Sequence, residues 1–433
     1  MSAAALVAAL CALGATSARA GPVEHRAELP GAAPTAPQPE GAARAYDLRV
    51  SLKASGLVER NPDDPLLFPD RNTGSGFWRL RLDGSVRPSA WATILGAWEQ
   101  RLRVDSGGTG AEAGLALLPR NVAPSWRLRP LDASIAQGDG LSWRHELDRA
   151  AVQLQDPRGT LTVGRQAVGW GRGVVFGAVD LFNPFTPLEV DREWRRGIDA
   201  VRGEARLGDT SSFEALWVGA ERAGDMAAAG RLRMGRGEVD GELVGGWRAG
   251  DAFGGAVLSA AAGDAELHAE AAAFRARDPL PAGGVLGSDR LALKGVAGAS
   301  NHFTVWKGIT VVAEYHYATF GARRARDLGR LALDPAFRER LLRGDTQIPG
   351  RHALAVVATS ELSEVVTGTL TALLAPDDGS GVVAPQLKLD LGDKVTVLAS
   401  LYLPFGAAPS GLELRSFYGT SALTGFVQVA VYE

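Results

Sequence analysis

A single cysteine, Cys11, is all that this chain of 433 residues contains, and it lies in an apolar N-terminal segment. With that segment removed, the mature chain is expected to have no disulfide, no thiol nucleophile and no cysteine-based metal centre. Long apolar runs are missing too. Beyond the N-terminus nothing approaches the roughly eighteen uninterrupted apolar residues that a spanning helix requires. A dominant charge is also absent: 46 Lys and Arg stand against 49 Asp and Glu, a formal net charge of −3. That balance predicts no nucleic-acid partner and no strong pull toward a charged surface. What is plentiful is glycine, with 54 residues, and tryptophan, whose 10 residues outnumber the 6 tyrosines.

The first twenty residues read "MSAAALVAALCALGATSARA", an apolar run from Ala3 to Leu13 leading to Ala18-Arg19-Ala20 and then Gly21. Such an order is that of an export signal with an A-x-A cleavage site, so residues 1–20 are expected to be a signal peptide cut after Ala20. Ala8-Ala9-Leu10 ahead of Cys11 is a poor lipobox, which argues against a lipid anchor. Residues 21–43, rich in Pro and Ala and without periodicity, are expected to form a disordered tail.

From Arg44 to Glu433 the hydropathy period is two. Tyr46, Leu48, Val50 and Leu52 alternate with Asp47, Arg49, Ser51 and Lys53. Trp78, Leu80 and Leu82 alternate with Arg79, Arg81 and Asp83. Val201, Ala205 and Leu207 alternate with Arg202, Glu204 and Arg206, and "KVTVLASLYL" repeats the pattern near the C-terminus. A strand sends successive side chains to opposite faces, so this pattern needs one apolar and one polar surrounding. A soluble sandwich and a membrane barrel both supply that. Two features favour the barrel. Most runs last about nine to eleven residues, the length that crosses a bilayer at the usual tilt. Short connections such as 155–159, 208–212, 262–264, 360–363 and 391–393 also alternate with long ones at 55–75, 105–139, 169–196 and 320–349. The expectation is an all-β fold: one antiparallel transmembrane β-barrel over residues 44–433, with about 18 strands (16 as the alternative), short periplasmic turns and longer external loops. Trp78, Trp91, Trp217, Trp247, Trp306, Tyr315 and Tyr317 fall near strand ends, where interfacial girdles form.

Reactive chemistry is hard to build from these residues. Gly169, Gly171 and Gly173 resemble a phosphate cradle, but the third glycine comes one residue too early for a dinucleotide fingerprint, and no lysine-plus-hydroxyl pair follows. Glu266, His268 and Glu270 share one strand face, as do Glu314 and His316; a wetted wall of paired charges is the expected reading, ahead of a metal site. Ser142 and His145 lie three apart on one strand, hence on opposite faces, and no G-x-S-x-G elbow occurs. No enzyme activity and no cofactor are expected. Arg79, Arg81, Arg202, Arg206, Arg231, Arg233 and Lys294 should face the interior together with Asp83, Glu204, Asp240, Glu242, Glu266 and Glu270. Both signs are present, which favours a weakly selective passage. In the loop at 321–350, Asp334-Pro335 opens a short helix with Phe337, Leu341 and Leu342 on one face.

The segments "VGRQAVGWGRG", "DLFNPFTP" and "RRGIDAVRGEARLG", with "LSWRHELDRAAVQL" before them and "AEYHYATFG", "DDGSGVVAPQLKLDLGDKVTV" and "YLPFG" after, run in order over residues 140–406. In this order they resemble porin-like outer-membrane barrels of Gram-negative bacteria related to the alginate-export type. The resemblance implies a bacterial outer-membrane channel, with lipid around it, that passes a small hydrophilic solute or polysaccharide. The alternative is a non-conducting barrel that binds surface polysaccharide or serves as a scaffold. Barrels of this kind end in an aromatic residue read by the outer-membrane assembly machinery; this chain ends "FVQVAVYE". Arg165, Gln166, Arg172, Arg192, Arg195, Arg196, Arg202, Glu204, Arg206, Glu314 and His316 are the expected pore or constriction residues. For Arg165 to leave the lipid-facing set of Leu161 and Val163, Gly164 is expected to host a bulge that reverses the register.

Overall fold

Period-two sequence becomes a closed wall. The computed structural model describes residues 45–106, 125–277 and 290–433, so the expected signal peptide and tail lie outside the described residues. In chain order the strands are β1 (Tyr46–Arg60), β2 (Asn72–Ser89), β3 (Ala92–Asp105), a short β4 (Asp132–Gly138), β5 (Leu141–Asp156), β6 (Gly159–Gln166), β7 (Ile198–Arg206), β8 (Ser211–Val218) and β9 (Ala227–Arg236). They continue as β10 (Val239–Arg248), β11 (Asp251–Ala262), β12 (Ala265–Arg275), β13 (Leu291–Phe303), β14 (Ile309–Ala318), β15 (His352–Ser363), β16 (Val366–Ala375), β17 (Ser380–Leu391), β18 (Val395–Phe405) and β19 (Leu423–Tyr432). All pairs are antiparallel, and β1 bonds to both β2 and β19, which closes the sheet. Because β3 pairs directly with β5, the barrel wall has 18 strands, with β4 as an addition.

Connections alternate between a short-turn end and a long-loop end as the sequence predicts, with two exceptions. At the long-loop end, β10 and β11 are joined through only Ala249 and Gly250, and β16 and β17 through 376–379. The loop expected at 55–75 shrinks to 61–71, because β1 and β2 stay paired out to Arg60 and Asn72.

Register assigns the two faces. Trp78 stands opposite Ala54 and Leu102, Leu243 opposite Ala256 and Leu232, and Leu401 opposite Gly425, all outward. Leu243, Leu258, Leu370 and Leu401 remain about half exposed, as an apolar belt would. From β8 to β19 the outward set has no acidic residue, and its only Arg or Lys side chains, Arg236 and Arg275, sit at strand ends. A charge at mid-span on such a face costs about 2–4 kcal/mol in lipid, so that surface is suited to hydrocarbon.

The wall has one irregular panel. β6 pairs with β5 only along 150–156 and ends at Gln166. Above it, β5 would lack a neighbour between Leu141 and Leu147. β4 takes that place, pairing Gly138 to Asp132 with Leu141 to Glu146, and the Leu147 amide donates to the Leu131 carbonyl. The Asp199 amide of β7 donates to the Trp126 carbonyl, so segment 126–138 bridges β5 and β7 where β6 has left the sheet.

Gly164 does not reverse the register. Its strand pairs without a shift on both sides from Gly159 to Gln166, which corrects the expected bulge. The residue instead takes φ 118°, and a Cβ there would stand 2.2 Å from the Ala150 carbonyl oxygen. This backbone brings β5 and β6 too close for any side chain. Gly164→Ala should therefore destabilise the barrel by at least about 1–3 kcal/mol. The check is the temperature at which the folded, fast-migrating form on a semi-native gel is lost; an unchanged temperature would contradict the close approach.

Candidate functional site

Segment 167–197 leaves the wall after Gln166 and fills the interior. Val168, Trp170, Phe176, Val179, Leu181 and Phe182 on it are buried, and they join one apolar cluster with inward residues of β7 to β19 such as Val218, Phe253, Ala292, Ala355 and Phe426. Phe182 packs edge-on against Trp126 and Trp170, with ring centres 5.3 and 5.9 Å away. A second inserted element reinforces the first. Helices α1 (Leu328–Leu333) and α2 (Pro335–Leu342) lie in the β14–β15 loop, and Leu331 and Phe337 are buried in the same cluster. Asp334 caps α2 through the Ala336 and Phe337 amides, the start that Asp334-Pro335 predicts. Gln347 accepts from the Gly177 amide and donates to the Phe185 carbonyl, tying the two inserts together.

Polar anchors hold the insert from two sides. On one side, Glu270 of β12 accepts from the amides of Arg172, Gly173, Ala178 and Val179, at 2.5, 2.8, 2.7 and 3.2 Å. Glu314 of β14 accepts from Val174, Val175 and Phe176 and meets His268 Nε2 at 2.8 Å. Glu214 of β8 accepts from the Trp170 indole. On the other side, Asp191 lies 2.9 Å from Lys53 and 3.2 Å from Arg79, and Glu193 meets Lys53 and the Tyr432 hydroxyl. The Trp194 ring lies beneath the cations of Lys53, Arg79 and Arg81, at 4.0, 5.5 and 5.1 Å.

Behind Trp194 is a network of buried charges. Glu99 holds Arg81 and Arg101; Glu146 holds Arg101, Arg127 and Arg196; Asp148 holds Arg81, Arg127 and Arg149. Burial tends to raise the Asp191 carboxyl, but Arg79 and Lys53 outweigh it and hold the group below its ordinary range. Arg196, buried beside Arg101, falls to about 10 although Glu146 opposes the shift. For Asp180 burial dominates, and its carboxyl lies above the ordinary value despite a bridge to Arg195. Near the long-loop end, Asp345 sits among Arg248, Arg340 and Arg343, whose charges override its burial and keep it strongly acidic.

The expected pore residues separate into four groups. Arg165 lies within the wall, and Gln166 ends β6 on its inner face opposite Ile198. Arg165 is 2% exposed, pairs with Asp199 at 2.7 Å and donates to the carbonyls of Leu147 and Arg129, so it spans the panel where β6 stops. Gln166 donates to the Thr162 and Ala200 carbonyls. Arg172, Arg192, Arg195 and Arg196 are on the insert, paired with Asp240, its own carbonyls at 174, 186 and 187, Asp180 and Glu146 respectively. Arg202, Glu204, Glu314 and His316 face inward from the wall, with Arg202 bonded to Glu214 and the His316 ring tilted against Phe176, centres 5.0 Å apart. Arg206 lies exposed at the short-turn rim, donating to the Pro157 carbonyl. Lys53, Asp191, Glu193 and Trp194 are not among the expected residues. Their signal is the run "EVDREWRRG" in a loop, where a tryptophan between acids and arginines has no core to join.

The interior thus has two unlike halves. Toward the short turns, inward polar groups such as Glu204, Asp240, Glu266, Thr367, Thr369 and Gln386 are half-exposed or exposed, as in a wet vestibule. Toward the long loops, every wall strand offers at least one inward side chain that is buried, from Leu57 on β1 round to Phe426 on β19. Segment 191–196 lies between these halves, beside β1 and β2. Among the described residues no cluster of three or more His, Cys, Asp or Glu is arranged to hold a metal. No helix of the described residues is long and apolar enough to cross a membrane.

No family model matches the chain, and no curated protein does. Among solved structures it is similar to Acinetobacter baumannii OccAB3, at 9% identity and TM-score 0.50, over 90% of this chain and 99% of that one. A Rhodopseudomonas blastica porin variant aligns at 11% identity and TM-score 0.43, covering 90% and 100%. Salmonella typhi OmpF in complex with daunomycin aligns at 11% and 0.44, covering 90% and 97%. At such identities the OccAB3 match establishes a shared barrel fold.

Removing one member of a buried ion pair strands the other, at about 3–5 kcal/mol. Arg165→Met should lower the stability of the refolded barrel toward the low end of that range, because two carbonyls lose their partner and Asp199 keeps only the Leu128 amide. Denaturant unfolding in detergent, followed by tryptophan emission, measures it. A change below about 1 kcal/mol would mean that the panel does not depend on Arg165.

Proposed function

We propose that this chain is an outer-membrane channel that passes a hydrophilic solute or polysaccharide, and that segment 191–196 forms its narrowest point against β1 and β2. One observation carries the reading: a wet vestibule meets an insert held in the lumen by hydrogen bonds and ion pairs, not by the wall's own ladder. In this reading the short turns are periplasmic, the long loops external, and the apolar belt meets lipid. The signal peptide of residues 1–20, delivery by the assembly machinery and kinship with alginate-export barrels belong to the same proposal. Around Trp194, Lys53, Arg79, Arg81, Arg101, Arg127, Arg149 and Arg196 face Asp83, Glu99, Glu146, Asp148, Asp191 and Glu193, seven cations to six carboxylates. So balanced a set supports weak selectivity by sign. Arg192, Arg195 and Arg196 shape the constriction in this reading by fixing the insert's course.

A second reading is a closed barrel that binds polysaccharide or a scaffold partner without conducting. The ring of buried inward side chains at the long-loop half favours it.

Planar-bilayer recording decides between them. The channel reading expects small or infrequent steps from the refolded wild type, and steps several-fold larger once 169–196 is deleted, with little preference between cation and anion. Absence of steps from both proteins, each shown folded by heat-modifiable gel migration, would sink the channel and leave the binding barrel.

A further inference from the structure

Two wall carboxylates take a share of the insert's backbone that no other part of the barrel matches. Each oxygen of Glu270 and Glu314 receives two donors. Glu270 Oε1 takes the amides of Arg172 and Gly173, and its Oε2 those of Ala178 and Val179. Glu314 Oε1 takes the Val174 amide and His268 Nε2, and its Oε2 the amides of Val175 and Phe176. Seven amides between 172 and 179 therefore close on two side chains that are 3% and 1% exposed. The chain is shaped for it: a Cβ on Gly171, whose φ is 99°, would stand 2.5 Å from Glu270 Oε1, and one on Gly173 only 1.8 Å from the Phe176 carbonyl oxygen. Such a fold of successive amides is an anion cradle, here occupied by the protein's own carboxylates.

We infer that residues 171–179 are a latch, locked over the passage by the negative charge of Glu270 and Glu314 and released when that charge is neutralised. The inference rests on the channel reading. An ionised carboxylate is acceptor-only, whereas a protonated one carries a donor. With both oxygens already surrounded by N–H groups, an added proton meets donors in every direction and evicts at least one amide. Neighbouring charges bear on the same step. Glu266 and His268 on β12, Lys294 on β13, Arg172, Asp180 and Arg192 on the insert, and His316 on β14 all lie near the pair. Protonated His268 donates to Glu314 and favours its ionised form, whereas Glu270 is held by neutral amides alone, so acid acts on the lock through Glu270 first.

The test uses the full-length refolded protein, as wild type, as Glu270→Gln/Glu314→Gln and as a deletion of 171–179. Glutamine keeps the shape but places an NH2 among the donors. Two readouts are taken between pH 7 and about pH 4, a range that spans ordinary glutamate titration: open probability in planar bilayers, and trypsin cleavage after Arg172. The latch predicts that wild type opens at least tenfold more often in acid and that the double variant is open at pH 7 with its pH response lost. Cleavage after Arg172 should appear in the variant at neutral pH. If the deletion conducts while the double variant stays closed and protected at Arg172, the latch is overturned and the channel stands. If a folded deletion is silent while wild type conducts, the latch is overturned; if neither conducts, the channel reading falls, and cleavage alone judges whether the carboxylates hold the strap. Should the double variant fail to fold, an acid-insensitive wild type in both readouts overturns the latch on its own.

Discussion

A backbone amide taken out of water needs an acceptor, and this structure is organised around where each one finds it. In the wall the answer is the neighbouring strand, and closure of β1 on β19 leaves no edge of the sheet unpaired at the seam. The inserted segment has no such neighbour. Its amides turn to side chains, and the side chains are carboxylates because a carboxylate offers only lone pairs. Glu270 and Glu314 thus do for the insert what the ladder does for the strands. Where β6 abandons its ladder, segment 126–138 replaces it, and Arg165 supplies donors to two carbonyls of that panel. Departure of the insert from the wall and repair of the wall are one event.

Much of the wall is legible in the amino-acid order alone. Alternation names the inward charges correctly from Arg79 to Glu270, since the side-chain period of a strand leaves only two choices per strand. The alternation of short and long connections holds because antiparallel strands must return to the same end every second turn. It falters at 249–250, where the chain reverses through Ala249 at φ 47° and Gly250 at φ 82° without the length of a loop.

The lumen is far less legible, for a physical reason. Strand periodicity fixes a face, but nothing local fixes where a thirty-residue insert sends each side chain. Arg165 obeys neither lipid nor lumen, because the missing upper part of β6 opens a third environment inside the wall that period-two reasoning does not contain. Arg192 bonds to carbonyls of its own segment, a partnership that strand periodicity does not show. Asp191 and Trp194 carry the contact with β1 and β2, and a sequence shows them only as a charged loop with one aromatic.

The glycines of "GWGRG" bring these points together. Their spacing fails as a nucleotide fingerprint. Yet the geometry beneath the resemblance is that of an anion cradle: glycines at 171 and 173 let successive amides converge on one point. The anion is Glu270, delivered from across the barrel, 97 residues away from Gly173 in sequence. Local pattern can disclose that a backbone is prepared for negative charge. Only the closed barrel decides whose charge it is, because β12 reaches the insert from six strands round the wall from β6 and not through anything written near residue 170.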